Sequence, residues 1–216
     1  MKVTIETLDH HGRGITHQDG KVGFIENALK GEICEIEITK DNTKYFEGKV
    51  SKYIETSPKR VKSKCPYYDR CGGCHLRHMS YEDTLNFKKD KLINILYKYA
   101  GLAIEPIVIK NKNRDFYRNK IELKVKNGIY GFYESSSHEI VEIDRCLNAE
   151  EPINTILRST DLLNIKNGSL VIKSNYNGEI ILSIESEEDP DIDIERLREK
   201  VKLVGIIHNE KTIFGA

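Results

Sequence analysis

The chain has no tryptophan, two methionines and five prolines in 216 residues, and each scarcity excludes something. With five prolines and fifteen glycines it is neither collagen-like nor a Pro/Gly-rich low-complexity chain. Neither sign of charge dominates, since 34 Lys+Arg face 34 Asp+Glu, so a highly charged disordered chain is excluded as well. No apolar stretch approaches the roughly 18 to 20 residues that cross a bilayer, so no membrane span is expected. The N-terminus turns polar within a few residues. It lacks the apolar core and small-residue cleavage site of a secretory signal, and a cytoplasmic location is the expectation.

What is present is segregated charge. Between Lys44 and Lys126 there are 20 Lys/Arg against 9 Asp/Glu, a local excess of +11 that the rest of the chain cancels. A basic block of this kind attracts polyanions, and nucleic acid is the commonest large one in a cytoplasm. A solvated lysine-rich surface would have the same composition, so motifs must decide.

Residues 1–57 have the pattern of a small β module. Lys2 to Leu8, Lys21 to Ile25, Glu32 to Thr39 and Tyr45 to Ile54 alternate or concentrate β-formers, and HHGRG, QDG and ALKG supply turns between them. Short strands with Gly-rich turns predict a small barrel. A Ser57-Pro58 break leads into a cationic loop without regular period. Ser80, with Asp83 three residues on, then opens an amphipathic helix that Gly101 ends. Strands follow at 107–109, 120–125, 129–133 and 140–143, with Asn127-Gly128 as a hairpin turn. Helical patterns at 150–163 and 193–200 flank another hairpin, 169–173 with 179–184, and a final strand spans 203–207. The fold class is α+β: a β-barrel over 1–57, then a central α+β domain with an antiparallel sheet over 58–216.

Cys65, Cys71 and Cys74 place three thiols within ten residues of a loop that also holds Pro66, Gly72 and Gly73. In a reducing cytosol such thiols point to metal ligation or catalysis rather than disulfides. Cys146, directly after a strand, is the candidate fourth ligand. Tetrahedral zinc would accept four thiolates, or three with His75 or His78, but usually through paired knuckles, of which only one exists here. Three clustered cysteines with a remote fourth suit a 4Fe-4S cluster better. The CGGCH string also fits covalent haem attachment, which the missing export signal argues against. Cys34, on an inward position of an alternating strand, reads as a core thiol.

DHHGRGI at 9–15, KVGFIENALKGE at 21–32, SPKRV at 57–61, CPYYDRCGGCHLRHMSYEDTLNFK at 65–88, YRNKIEL at 117–123 and IYGFYESSSHEIVEIDRCL at 129–147 together resemble the RNA (uracil-5-)-methyltransferases with an N-terminal TRAM domain. The resemblance implies an OB-like TRAM barrel that grips RNA and a central domain whose cysteines, here Cys65, Cys71, Cys74 and Cys146, hold a 4Fe-4S cluster, with zinc as the alternative. It also implies methylation of structured RNA, expected to be ribosomal, by a Rossmann-like domain that binds S-adenosylmethionine. No Gly-rich cofactor turn and no cysteine after residue 146 appear here. The expectation is therefore an RNA-recognition portion without catalysis of its own, whose catalytic domain is absent or separately encoded; a stand-alone RNA-binding module is the alternative. The expected phosphate contacts are Lys59, Arg60, Lys62 and Lys64 on the cationic loop, Arg118 and Lys120 in the YRNK string, and Arg13 in the Gly-rich turn. Tyr67, Tyr68, Phe116 and Tyr117 lie among these cations as candidate stacking residues.

Overall fold

A computed structural model describes residues 1–215. It is a mixed α+β structure with two sheets and three α-helices, and its contacts divide it into two compact units, Met1–Lys64 with Cys74–Lys110 and Cys65–Gly73 with Asn111–Ala216.

The first unit carries β1 (Lys2–Thr4), β2 (Thr7–Leu8), β3 (Gly14–Gln18), β4 (Lys21–Glu26), β5 (Ile33–Asp41) and β6 (Tyr45–Glu55) in the order β1-β5-β6-β4-β3-β2. All neighbours are antiparallel except β4 with β6. The two edge strands are successive pieces of one segment. Where they part, Ile5 donates to the Glu32 carbonyl on one side and Glu6 to the Ile15 carbonyl on the other. Val3, Ile5, Ile25, Ala28, Cys34, Ile36 and Phe46 form the core. Cys34 is an interior thiol, as its strand position predicts. Burial first, and the Glu32 carboxylate next, push it up to about 11, which keeps it protonated and inert at neutral pH. Strand β3 escapes the sequence reading because its inward positions are Gly14 and Thr16. A larger residue is not tolerated there: a Cβ on Gly14 would lie 2.8 Å from Ile5.

Helix α1 (Tyr81–Ala100) begins and ends where its caps predict. The Ser80 hydroxyl accepts from the Asp83 N–H, and Gly101 takes the left-handed conformation at φ 65°, returning its N–H to helix carbonyls. The strand expected at 107–109 does not form. Ile107 and Ile109 are 92% and 93% exposed, and no neighbouring strand offers them a ladder, so β-propensity alone is not enough.

The second unit holds β7 (Lys120–Lys126), β8 (Ile129–Tyr133), β9 (Ile140–Glu142), α2 (Glu151–Leu157), β10 (Gly168–Ser174), β11 (Glu179–Glu185), α3 (Ile194–Lys200), β12 (Lys202–His208) and β13 (Lys211–Gly215). Its sheet runs β13-β12-β11-β10-β7-β8-β9. Asn127 and Gly128, with φ of 53° and 77°, make the tight turn between β7 and β8. Alternate residues Ile121, Leu123 and Val125 meet Leu170, Ile172, Ile180, Leu182 and Ile184 against Ile153, Ile156 and Leu157 of α2 and Leu197 of α3. The sheet is not wholly antiparallel: α3 is a crossover that returns β12 parallel to β11. The helix expected over 150–163 stops at Leu157, where the Ser159 N–H reaches back to Ile156 and a single 3-10 turn, Thr160–Leu162, follows. Strand β13 lies after an Asn209-Glu210 turn with positive φ at both residues, a pair without the glycine that would announce a hairpin. Among the described residues no helix is long and apolar enough to cross a membrane.

Candidate nucleic-acid interface and cysteine loop

In the first unit the cationic loop is anchored by a buried ion pair. Glu32 is fully buried where the chain enters β5. Its carboxylate accepts from Arg60 Nε at 2.5 Å and Nη2 at 2.7 Å, and from the N–H groups of Leu29 and Ser57. Burial alone would raise this carboxyl, but the Arg60 hydrogen bond and the two backbone donors outweigh it and hold Glu32 below the usual carboxylate range. Arg60 Nη2 also donates to the Asn27 carbonyl at 2.6 Å, and the guanidinium lies 4.2 Å from the centroid of the Tyr53 ring. Arg60 was expected among the phosphate contacts. Its Nε and Nη2 donors are bound within the β module, and the side chain is only 16% exposed.

Around that anchor Lys59, Lys62 and Lys64 stand exposed. Lys59 Nζ lies 3.1 Å from Asp83 Oδ1, a surface contact of small energy that an incoming phosphate would displace at little cost. Arg13, expected in the same role, has internal partners. Its Nε donates to Asp9 Oδ2 at 2.8 Å, its Nη1 lies 3.7 Å from Glu47, and its guanidinium covers Phe24. Asp9 is buried, which by itself raises its carboxyl, yet the Arg13 side-chain and backbone bonds hold it below the ordinary range.

In the second unit, the backbone of 116–118 runs along 147–150. Phe116 N–H donates to the Leu147 carbonyl, Tyr117 and Arg118 N–H to Asn148, and Glu150 N–H to the Arg118 carbonyl. Arg118 and Lys120 are exposed at the start of β7. Tyr117 is also exposed, and Phe116 lies beneath the Arg145 guanidinium, 5.1 Å from ring centroid to Cζ. Tyr67 is half-buried and bonds Asp144 Oδ1 at 2.5 Å, and Tyr68 is buried, so of the four aromatic residues expected to stack, Phe116 and Tyr117 are the exposed ones.

The loop 65–73 is wound tightly: Tyr68 N–H returns to the Cys65 carbonyl, Cys71 N–H to Tyr67, and Gly72 N–H crosses to the Tyr133 carbonyl. Cys71 and Cys146 both pack half-buried against the core of this unit. Cys146 is held from below by Asn154, which sequence reading missed. Its Oδ1 accepts the Cys146 N–H at 2.7 Å, and its Nδ2 donates to the carbonyls of Cys146 and Ala149 at 3.1 and 2.9 Å. The signal was a polar residue on the apolar face of α2, between Ile153 and Ile156. Among the described residues no three or more His, Cys, Asp or Glu side chains are arranged to hold a metal ion. The thiols of Cys65, Cys71 and Cys146 belong to the second unit, and Cys74 to the first.

These features agree in kind with what the chain resembles. The TRAM domain family matches residues 1–51. An uncharacterized RNA methyltransferase of Aquifex aeolicus is 35% identical over 159 residues, covering 73% of this chain and 37% of that protein. A 23S rRNA (uracil(1939)-C(5))-methyltransferase of Legionella pneumophila is 35% identical over 170 residues, covering 75% of this chain and 37% of its own length. Among solved structures, the Pyrococcus abyssi tRNA (uracil-54, C5)-methyltransferase in complex with S-adenosyl-L-homocysteine superposes with a TM-score of 0.67 at 21% identity, covering 96% of this chain and 50% of that one. That likeness establishes the fold. The chain spans a little over a third of the length of the curated relatives it matches.

Proposed function

We propose that this chain recognises RNA for the S-adenosylmethionine-dependent methylation of uracil at C5, with structured ribosomal RNA as the substrate class. The observation that carries the reading is the exposed triplet Lys59, Lys62 and Lys64 on a loop fixed by the Glu32–Arg60 pair. Ordered cations on a rigid anchor contact phosphates without the entropy cost of gathering a floppy tail. The TRAM match and the names of the relatives support the same class of partner. Residues 1–57 act in this reading as an OB-like barrel, supported by edge strands that are pieces of a single segment, and residues 58–216 as the central domain. Arg118 and Lys120 are proposed as a second phosphate-contacting pair, on the exposed start of β7.

Replacing Lys59, Lys62 and Lys64 together by alanine tests this. Each lost phosphate contact removes about 0.7 to 0.9 from the slope of log K against log salt, so the triple variant should bind RNA more weakly and with a slope shallower by about 2 to 3. An unchanged slope would refute the assignment.

The cysteines carry the finer part of the proposal. Cys65, Cys71, Cys74 and Cys146 are assigned as ligands of a 4Fe-4S cluster, with zinc as the alternative. The support is the softness and spacing of the thiols in the sequence. Protein purified without oxygen should be brown, with iron and acid-labile sulfide in equal amounts; a colourless protein with stoichiometric zinc would select the alternative, and a metal-free one would remove both.

A further inference from the structure

The outward face of the first unit's sheet carries rings and cations in an unbroken row. The Arg13 guanidinium lies 4.6 Å from the Phe24 centroid, Phe24 meets Tyr45 edge to face at 6.1 Å and 72°, and Lys40 Nζ lies 5.9 Å from the Tyr45 centroid. The sheet itself makes the row. Parallel strands β4 and β6 pair Val22 with Tyr45 and Phe24 with Glu47, so both rings share a face while Ile25 and Phe46 take the interior. The core is complete without Phe24 and Tyr45. Lys44 and Lys49 are exposed beside the row, and Lys21 is held by Asp41 at 2.6 Å. The negative groups paired with the row, Asp9 at 2.8 Å and Glu47 at 3.7 Å, both meet Arg13, at the end away from Lys40.

We propose that Tyr45, backed by Phe24 and flanked by Lys40 and Lys44, stacks on an unpaired base of the RNA, so that this face of the sheet follows a single strand. The inference rests on the RNA reading above and deepens it. An aromatic face beside cations suits a nucleotide: the ring takes the base, and the ammonium groups take the phosphates on either side. A duplex buries its base faces in its own stack and would leave the ring unused.

Because the chain has no tryptophan, Tyr45→Trp creates a sole indole reporter at the site. Titration with a single-stranded oligouridylate should quench its emission, and a duplex of equal length should not. Tyr45→Ala should weaken single-strand binding by about 5- to 150-fold, from the range for one stacked base, with Tyr45→Phe close to the parent and Lys40→Ala giving a smaller, salt-sensitive loss. If the parent binds the oligomer while Tyr45→Ala binds equally well and the indole is not quenched, the stacking assignment is overturned and the wider reading stands. If the parent binds no RNA, both fall.

Discussion

Glu32→Ala should cost about 3 to 5 kcal/mol of the first unit's stability, the range for removing one partner of a buried ion pair. The substitution strands the Arg60 guanidinium at a site where the Asn27 carbonyl and the Tyr53 ring are its remaining partners, and it orphans the N–H groups of Leu29 and Ser57. Replacing both partners, Glu32→Met with Arg60→Met, should recover much of the loss, because the cost lies in the uncompensated charge rather than in the attraction. The pair also sets an acid limb. Glu32 has its carboxyl lowered in the folded state, so its contribution is complete above the unfolded value of about 4.3 and is lost as pH falls towards the folded one. Denaturant melts from pH 7 down to pH 3 should show that decline in the parent and a flatter profile in Glu32→Gln. A loss below about 1 kcal/mol at neutral pH would mean the pair is solvated like a surface bridge.

Asn154→Leu is expected to have the next largest effect, in the second unit. Leucine fits the volume but offers no polar atom, leaving the Cys146 N–H and the Ala149 carbonyl without the bonds at 2.7 and 2.9 Å. Each buried orphan costs about 1 to 3 kcal/mol, so a loss of about 3 kcal/mol is expected. In a chain of this size that lowers the melting midpoint by about 6 to 12 °C. The variant should also speed alkylation of Cys146, since Asn154 fixes the turn that carries it, while leaving the buried Cys34 unreactive. Equal Cys146 labelling rates in parent and variant would show that the turn is held by something else.

How far these features were legible in the sequence depends on whether the physics was local. Ser80, Asp83 and Gly101 announce α1 because capping is decided within a few residues, and Asn127-Gly128 announces its hairpin for the same reason. The strand at 107–109 reads well locally and fails, because a strand needs a neighbour that sequence cannot supply. Strand β3 reads poorly and forms, because Ile5 and Ala28 fill the space that its inward Gly14 leaves. Glu32 looked like one more acidic residue in EICEIEIT, and Arg60 like one more cation in SPKRV. Only the fold brings residues 28 positions apart into contact. The exposed lysines, by contrast, were read from composition, since nothing distant is needed to keep them in water.

The central claim is that the basic loop of the first unit meets RNA, and photocrosslinking addresses it most directly. A uridine-rich RNA bearing 4-thiouridine, irradiated with the full chain and mapped by peptide mass spectrometry, should mark residues 57–64 and the row around Tyr45, and should lose both marks at high salt. Crosslinks confined to the acidic segment 185–193, or scattered evenly over the chain and indifferent to salt, would contradict the account.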